Sequence, residues 1–325
     1  MAILKTAPDA VTAQEDAVTA RDVVAADLED FRRPLLAYCY RMLGSHHEAE
    51  DAVQETMIRA WRGLARLDGR AGLRAWLYKI ATNVCLDALG DRRGRALPMD
   101  LTAAGDARDA LGPALADSTW VRPIPTQLVG GDDPLERAVS NEWIRLAFVA
   151  ALQVLLPRQR AVLILRDVLC WRAAEVASLL DTSVDAVNST LRRARAALAQ
   201  ARGGDTAPLG GEAVDPALLA RYVDAFVRFD VDGIVAMLRQ DAVVSMPPYA
   251  FWLRGRDVFG DFLRRGEVRC RYTHGVVTGA NGVSAVAMYD PTGAPGALHV
   301  LEWHEGWIAA LYVFLDPALV PPFTP

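Results

Sequence analysis

Residues 171–198 read WRAAEVASLLDTSVDAVNSTLRRARAAL, the pattern of two short amphipathic helices joined by a tight polar turn. Val176, Leu179 and Leu180 give the first helix an apolar face at i, i+3 and i+4 spacing. Asp181 stands where the chain must reverse, and Asp is one of the few residues besides glycine that tolerates a positive φ angle. The stretch therefore predicts a helix-turn-helix, whose second helix enters the major groove of DNA.

The second helix of this motif is expected to bury one side and to present the other to DNA. Thr182 with Asp185 matches a capping box, and Ser183 is a competing cap. The apolar stripe contains Val184, Val187, Leu191, Ala194 and Leu198. Side chains suited to base edges and phosphates lie opposite: Asp185, Asn188, Ser189, Arg192, Arg193 and Arg195. An ordinary packed helix pair with a solvated basic face remains the alternative, because helical hairpins often imitate this short motif.

The composition limits the class of protein around this motif. The chain has 325 residues, enough for two or three domains, with 52% hydrophobic and 23% charged residues, which excludes a mainly disordered chain. Its net charge of −5 means that DNA binding must depend on local basic patches. The four cysteines are scattered without a C-x-x-C pair, which favours reduced thiols in a cytoplasmic protein.

The chain divides by composition into three structured pieces and their connections. Neither a membrane-spanning apolar run nor a secretory signal is apparent. The proline- and glycine-rich connection after the first helical piece is expected to be semi-extended and surface-exposed, although Trp120 within it is unusual for a pure spacer. The predicted boundaries are a flexible leader at 1–26, a helical domain at 27–98, a linker at 99–134, the helix-turn-helix domain at 135–201, a second linker at 202–216 and an α+β domain at 217–325.

The segment SHHEAEDAVQETMIRAWRGL, residues 45–64, predicts a long helix with Ser45 as its N-cap. Its apolar stripe contains Val53, Met57, Ala60, Trp61 and Leu64. The opposite side carries Asp51, Gln54, Glu55, Ile58, Arg59 and Arg62. Ile58 is an apolar residue on this otherwise charged face, which is typical of a protein-docking surface. Periodicity alone favours the simpler interpretation, an isolated exposed apolar side chain.

A second helix, from Leu73 to Leu89, runs into the basic cluster DRRGR at residues 91–95. The cationic side chains of this region could form a phosphate-binding patch: Arg74, Lys79, Arg92, Arg93 and Arg95. A solvated basic helix end is the alternative, since cations there also favour the helix dipole.

The last third of the chain has a different pattern. Residues 217–238 predict a helix, Asp241–Pro247 a short strand and Arg256–Arg265 another helix. Alternating segments then surround hairpin signals at Asn281–Gly282 and Glu305–Gly306. Helices on one face of a curved antiparallel sheet make an α+β domain.

These segments resemble known families. SHHEAEDAVQETMIRAW with RAWLYKIATNVCLDALGDRRGR, residues 45–61 and 74–95, resembles the first conserved domain of sigma-70 family factors of the extracytoplasmic-function type. The stretch 156–198 resembles their second domain, and MPPYAFWLRGRDVFGDFL, residues 246–263, resembles the SnoaL-like domain fused to some of them. The fold implied is two all-α sigma domains, a helical bundle and a helix-turn-helix, followed by a cone-shaped α+β domain related to ketosteroid isomerase.

The resemblance implies a transcription initiation factor with core RNA polymerase and promoter DNA as partners. The residues implied for docking on the polymerase are Asp51, Gln54, Glu55, Ile58 and Arg62. Those implied for the −10 element are Arg74, Lys79, Asn83, Asp87, Arg92, Arg93 and Arg95, next to a loop at Asp68–Gly72. The helix Val184–Ala197 would contact the −35 element, and the linker would thread into the polymerase. Asp181 departs from the glycine common in the family, which puts the fine register of the −35 contacts in doubt.

Three hypotheses remain for the C-terminal domain: regulation through contact with the sigma domains or polymerase, an attached isomerase-, cyclase- or hydrolase-like enzyme, and a ligand sensor. The candidate polar groups are Tyr222, Asp224, Arg254, His274, Glu302, His304 and Tyr312, and the candidate lining aromatics are Trp252, Trp303, Trp307 and Phe314. A pocket would be formed by Tyr222, Trp252, Arg254, His274, His304 and Tyr312. No pair has the spacing of a catalytic dyad, so regulation is favoured, and no catalytic residue, cofactor or metal ligand is predicted.

Overall fold

The computed structural model describes residues 28–64, 72–90, 94–129, 142–201, 214–266 and 271–324. Several predictions fall wholly or largely outside these ranges: the leader, the basic residues Arg92 and Arg93, nearly all of the loop Asp68–Gly72, the end of the first linker and most of the second linker at 202–216. The described chain forms an N-terminal helical domain, a connecting segment, a middle helical domain and a C-terminal domain built on one sheet. Within the described ranges, every helix is too short or too polar to cross a membrane.

The N-terminal domain contains α1 (Arg32–Leu43), α2 (His46–Gly63) and α3 (Leu73–Leu89). Gly44 ends α1 with a φ of 70°, and the Ser45 hydroxyl accepts from the amide of Glu48 at 3.5 Å, so Ser45 caps α2 as predicted. The predicted stripe of α2 is wrong at Trp61, which is 51% exposed. Thr56 takes a buried position on that helix instead, because its hydroxyl can donate to the Ala52 carbonyl at 2.7 Å.

The segment after α3 is more ordered than its composition predicts. It contains α4 (Pro98–Leu101), a 3₁₀ turn at Asp117–Thr119 and α5 (Thr126–Val129). The prediction of a surface-exposed spacer is wrong around residues 120–124, where Trp120, Val121 and Ile124 are buried. These apolar side chains exclude water only by packing against the domains on either side, so the segment is held in place.

The middle domain contains α6 (Leu146–Gln153), α7 (Pro157–Leu163, extended by a π-helical turn at Ile164–Val168), α8 (Ala173–Leu179) and α9 (Val184–Ala201). Helices α8 and α9 form the predicted helix-turn-helix, and Asp181 has the predicted positive φ, 50°. Ser183 rather than Thr182 caps α9, since the Ser183 hydroxyl accepts from the Ala186 amide at 3.1 Å. Val184 is 41% exposed instead of buried, because the packed stripe of α9 begins one turn later.

The C-terminal domain contains α10 (Pro216–Arg228), α11 (Val231–Met237) and α12 (Arg256–Arg265), with strands β1 (Leu238–Ser245), β2 (Trp252–Arg254), β3 (His274–Ala280), β4 (Val283–Tyr289), β5 (Pro295–His304) and β6 (Trp307–Phe314). The single helix predicted at 217–238 is two helices. Phe229 takes a φ of 53° and ends α10, and the Asp230 carboxylate then caps α11 by accepting from Gly233 at 3.0 Å. The helix at Arg256–Arg265 and both hairpin turns lie where the sequence predicts them.

The six strands form one sheet in the order β2-β1-β6-β5-β4-β3, antiparallel except where β1 pairs with β6. Because side chains alternate along a strand, each strand serves two cores. The inner face packs under α10, α11 and α12, and its strand residues include Val286, Met288, Ala297, Leu301, Trp303, Leu311 and Val313. The outer face joins the core of the two helical domains, and its strand residues include Ala285, Ala287, Leu298, Val300, Ala310, Tyr312 and Phe314.

Candidate nucleic-acid interface

The outer side of α9 presents most of the side chains predicted to contact DNA. Asp185, Asn188, Arg192 and Arg193 are exposed. The Ser189 hydroxyl is half-buried and donates to the Ala186 carbonyl at 3.0 Å, so it is partly occupied within the helix.

Arg195 is also exposed, but it binds the Asp167 carboxylate through two bonds of 2.9 and 2.6 Å. This bidentate pair joins α9 to the end of α7 and holds the guanidinium away from the outer side of the helix. Arg195 therefore has a role in the domain itself that the sequence pattern did not reveal.

The side chains of α3 predicted for the −10 element are engaged with the helix-turn-helix. The Arg74 guanidinium lies over the Trp171 ring, 5.2 Å from its centre. The Lys79 ammonium is 2.8 Å from the carboxylate of Asp181, the residue at the turn. The ring of Tyr78 also meets that of Trp171, with their centres 5.2 Å apart. The middle domain therefore covers part of the surface of α3 that the sequence predicts for the −10 element.

The remaining predicted −10 residues divide into exposed and internal ones. Asn83 and Asp87 are exposed, with Asp87 3.7 Å from Arg59. Arg95 is not free for DNA, since its side chain is only 8% exposed and lies 2.7 Å from Glu48. It also donates to the carbonyls of Asp117 and Trp120, so it ties the connecting segment to α2. A run of basic residues in the sequence does not distinguish this structural arginine from a solvated one.

A buried polar contact closes the interface between the two helical domains. Arg160, at the start of α7, donates to the Met42 carbonyl of α1 and to three oxygens of its own domain, among them the Gln153 side chain at 2.6 Å. Burial lowers the pKa of Arg160 to about 10, which still leaves it charged at neutral pH. Gly94 approaches so closely that a β-carbon there would lie 2.1 Å from the Gln153 carbonyl oxygen. Any larger side chain at Gly94 would require the backbone on one side of this contact to shift.

The face of α2 predicted to dock on polymerase is open to solvent. Its five predicted residues lie on one side of the helix and are exposed or half-buried: Asp51, Gln54, Glu55, Ile58 and Arg62. Ile58 is 37% exposed at the centre, and Trp61 extends the apolar area. This surface has the composition of a docking site with a polar rim.

The turn between β3 and β4 reaches into the junction of all the domains. Asn281 is fully buried, and its amide nitrogen donates to the Tyr40 hydroxyl and to the Ile144 carbonyl, both at 2.7 Å. The side-chain oxygen of Asn281 accepts from the backbone amide of Ile124 at 3.1 Å. The backbone amide of Asn281 donates to the Ile124 carbonyl at 3.0 Å. One residue of the C-terminal domain thus bonds the N-terminal domain, the connecting segment and the start of the middle domain.

A second polar contact lies on the same outer face of the sheet. Glu302 and Tyr312 are buried neighbours on β5 and β6, and Arg145 of the middle domain supplies a compensating charge. Burial raises the pKa of Glu302 to about 7 and outweighs the opposite effect of Arg145 and of a hydrogen bond with Tyr312. One oxygen of Glu302 and the Nε of Arg145 have no hydrogen-bond partner in the described structure. This contact is therefore electrostatically incomplete.

Among the described residues, a small cavity lies under the inner face of the sheet. The cavity beneath α10 and α12 is about 20 Å³, room for roughly one water molecule. The Tyr222 hydroxyl and the His299 Nδ1 lie 2.8 Å apart beside it, and burial lowers the pKa of His299 to about 3. His299 was missed in the sequence because a single histidine within an apolar alternating strand resembles a core residue.

The residues predicted to form a pocket do not converge, and that prediction needs correction. Only Tyr222 faces the interior. The Trp252 indole donates instead to the Thr102 carbonyl of the connecting segment at 2.9 Å, and Tyr312 faces the opposite side of the sheet. Arg254 and His274 are exposed and His304 lies at the end of β5. The strand register explains this, since the five strand residues lie on the outer face of the sheet, whereas Tyr222 on α10 packs against the inner face.

Metal-ligating side chains converge at one place in the described ranges, at the start of α2. His46, His47 and Glu50 lie together there, and none of them was predicted as a ligand.

Comparisons with known proteins agree with this architecture. Residues 28–95 match the family model "Sigma-70 region 2", and residues 145–198 match "Sigma-70, region 4". The ECF RNA polymerase sigma factor SigG of Mycobacterium tuberculosis is 42% identical over 95% of this chain and 86% of its own. The crystal structure of the extracytoplasmic function sigma factor SigJ of the same organism covers 91% of this chain and 97% of its own, with 25% identity and a TM-score of 0.59. This chain therefore belongs to the extracytoplasmic-function group of sigma-70 family RNA polymerase sigma factors, with an α+β domain after its two sigma domains.

Proposed function

We propose that this sigma factor rests in a closed conformation, in which its C-terminal domain holds the two promoter-reading domains together. Opening would release them to bind core RNA polymerase and promoter DNA in the cytoplasm. The observation that carries the proposal is the buried Asn281 side chain, which bonds both sigma domains and the segment between them. Each such hydrogen bond contributes about 1 kcal/mol net, and a buried group left unpaired costs about 1–3 kcal/mol.

Distance supports the need for opening. The −10 and −35 elements are named by their positions along the promoter. These positions differ by about 25 base pairs, which is roughly 85 Å of duplex at 3.4 Å per base pair. Lys79 of α3 and Asp181 of the helix-turn-helix are 2.8 Å apart in the closed form. The two domains cannot contact both elements at once while this ion pair exists.

We infer a division of labour among the helices. The exposed face of α2 docks on the polymerase, α3 contacts the −10 element with Asn83 and the residues released on opening, and α9 contacts the −35 element with Asn188, Arg192 and Arg193. Arg192→Ala and Arg193→Ala should each weaken promoter binding and flatten its salt dependence by about one unit per lost phosphate contact. Association with core polymerase should be unchanged; an equal loss there would contradict the division.

For the C-terminal domain, the inner cavity favours regulation over the enzyme and ligand-sensor alternatives. A drug-sized ligand needs roughly 300–1,000 Å³, whereas about 20 Å³ remains here. Its polar groups of interest are instead on the outer face, against the sigma domains. The outer face of the domain is thus suited to hold the two sigma domains together.

The experiment is promoter-specific transcription with core polymerase and the full chain carrying Asn281→Gly. Glycine keeps the left-handed backbone of the turn without strain and removes only the side-chain bonds. Loss of three bonds should weaken the closed form by about 3 kcal/mol and raise transcript yield at limiting sigma factor. Glu305→Gly is the matched control, since Glu305 has the same left-handed position in the other hairpin but is exposed. Equal yields from both variants and the parent would contradict the proposal.

A further inference from the structure

We propose that His46, His47 and Glu50 bind a divalent transition-metal ion, with Zn²⁺ as the best match, at the start of α2. One donor atom from each side chain lies within 4.8 Å of the other two. Two imidazoles and a carboxylate are a known three-ligand set for zinc, with the fourth position left to water. The proposal is independent of domain closure.

The spacing of these residues on α2 brings the donors together. His46 is the first residue of the helix and Glu50 follows one turn later, so both side chains lie on one side. The Nε2 of His46 is 3.2 Å from Oε1 of Glu50. Donors about 2.0–2.1 Å from a tetrahedral zinc ion are separated by about 3.3 Å, so this pair already has the separation of two ligands of one ion.

The bonding of His46 also supports an ion at this position. His46 is 4% exposed, and its Nε2 makes no well-aligned hydrogen bond with any described residue, although the Glu50 carboxylate lies 3.2 Å away. The two groups are close without being aligned as donor and acceptor. Leaving a buried nitrogen unpaired costs free energy, and an ion between the two groups would satisfy both.

The surroundings allow an ion to enter and remain. The His47 ring stacks on that of His46 with centres 5.4 Å apart, and His47 and Glu50 are both exposed, so the site opens to solvent. The nearby cation Arg122 is engaged by Asp117 at 3.1 Å and by Asp316 at 3.4 Å, which reduces its repulsion of a metal.

The ligand type selects the metal. Imidazole nitrogen favours zinc and its transition-metal neighbours over Mg²⁺ and Ca²⁺, which prefer oxygen. A bound ion would join both ends of the first turn of α2 directly before Asp51, where the proposed polymerase-docking face begins. It would therefore stabilise the end of that face.

The test uses the full chain, titrated with Zn²⁺ by calorimetry and with Co²⁺ by visible absorption. We expect one ion per chain. His47→Ala and Glu50→Gln should each weaken binding by roughly tenfold or more, since a ligand contributes at least as much as the groups that orient it. Both residues are exposed, so neither change threatens folding as loss of the buried His46 would.

His274→Ala is the control, because His274 is an exposed histidine on β3, outside the cluster. It should bind like the parent. Absence of binding by the parent chain, or an unchanged affinity in either His47→Ala or Glu50→Gln, would overturn the proposal.

Discussion

The two faces of the C-terminal sheet use the same strands but differ in what they contact. The inner face is a closed apolar core with one buried polar pair, Tyr222 and His299, beside a cavity of about 20 Å³. The outer face carries Glu302 and Tyr312 and continues into the Asn281 turn, and all three meet the sigma domains or lie against them. The polar groups of the outer face thus lie against neighbouring domains, whereas the polar pair of the inner face bonds within its own domain.

The two faces should therefore respond differently to substitution. If the outer face acts only by keeping the sigma domains together, any change that separates them should have the same consequence, even far from the sheet. A change confined to the inner face should alter stability and leave activity unaffected.

Gly94→Ala separates the sigma domains without touching the sheet, and we expect it to have the largest effect. The new methyl group would lie 2.1 Å from the Gln153 carbonyl oxygen, so the closed interface must shift at a cost of about 3 kcal/mol, the upper end of the usual cost of overpacking. Small-angle scattering should show a larger radius of gyration than in the parent, and transcript yield should rise.

Gly72→Ala is the matched control for that substitution. A β-carbon at Gly72 meets no atom within 4 Å, and its φ of −95° suits alanine. If Gly94→Ala is compact and has the scattering profile of Gly72→Ala, closure does not depend on the contact between Gly94 and Gln153.

Closure should depend on pH because of Glu302. Burial in the closed form raises the pKa of Glu302 from 4.5 to about 7, so the closed form holds a proton that the open form releases. Closure is therefore strongest below pH 4.5 and weakens as pH rises through about 7, by a total on the order of 3 kcal/mol at most. The fraction of compact molecules, measured by scattering between pH 5 and 8, should fall as pH increases.

Glu302→Gln provides the control, since the amide is neutral at every pH and resembles the protonated acid. Its compact fraction should stay high and nearly constant across the same range. A Glu302→Gln profile as steep as that of the parent would show that another group carries the pH dependence.

Tyr222→Phe changes only the inner face of the sheet, and we expect it to have the smallest effect on transcription and closure. It removes the bond to His299 and costs about 1 kcal/mol of unfolding free energy, measurable by urea denaturation. Transcript yield should equal that of the parent. A change in transcript yield without a change in compactness would show that the inner face has a function of its own.

The sequence predicted the local structure well because local signals cause it. The positive φ of Asp181, the Ser45 cap, the helix at Arg256–Arg265 and the Asn281–Gly282 turn all follow from nearby residues. These positions depend on backbone sterics and capping, which a short stretch of sequence specifies.

The candidate site was less predictable because its contacts are long-range. Lys79 and Asp181 are 102 residues apart in sequence, and Asn281 bonds Tyr40 across 241 residues. An Asn-Gly pair predicts a turn but not that the turn will be buried between other domains. Likewise, Arg95 in a basic cluster cannot be distinguished from a DNA contact until its partner Glu48 is known.

One turn of the C-terminal domain is proposed to keep the two sigma domains together. Spin labels at Ala88→Cys on α3 and Ala196→Cys on α9, both exposed positions, would measure the separation by electron–electron resonance in a chain with Cys170 and Cys270 replaced by Ser. We predict one short distance in the free parent chain, a long distance on binding core polymerase, and the long distance already in the free Asn281→Gly variant. A free Asn281→Gly variant with the parent's short distance would contradict the account.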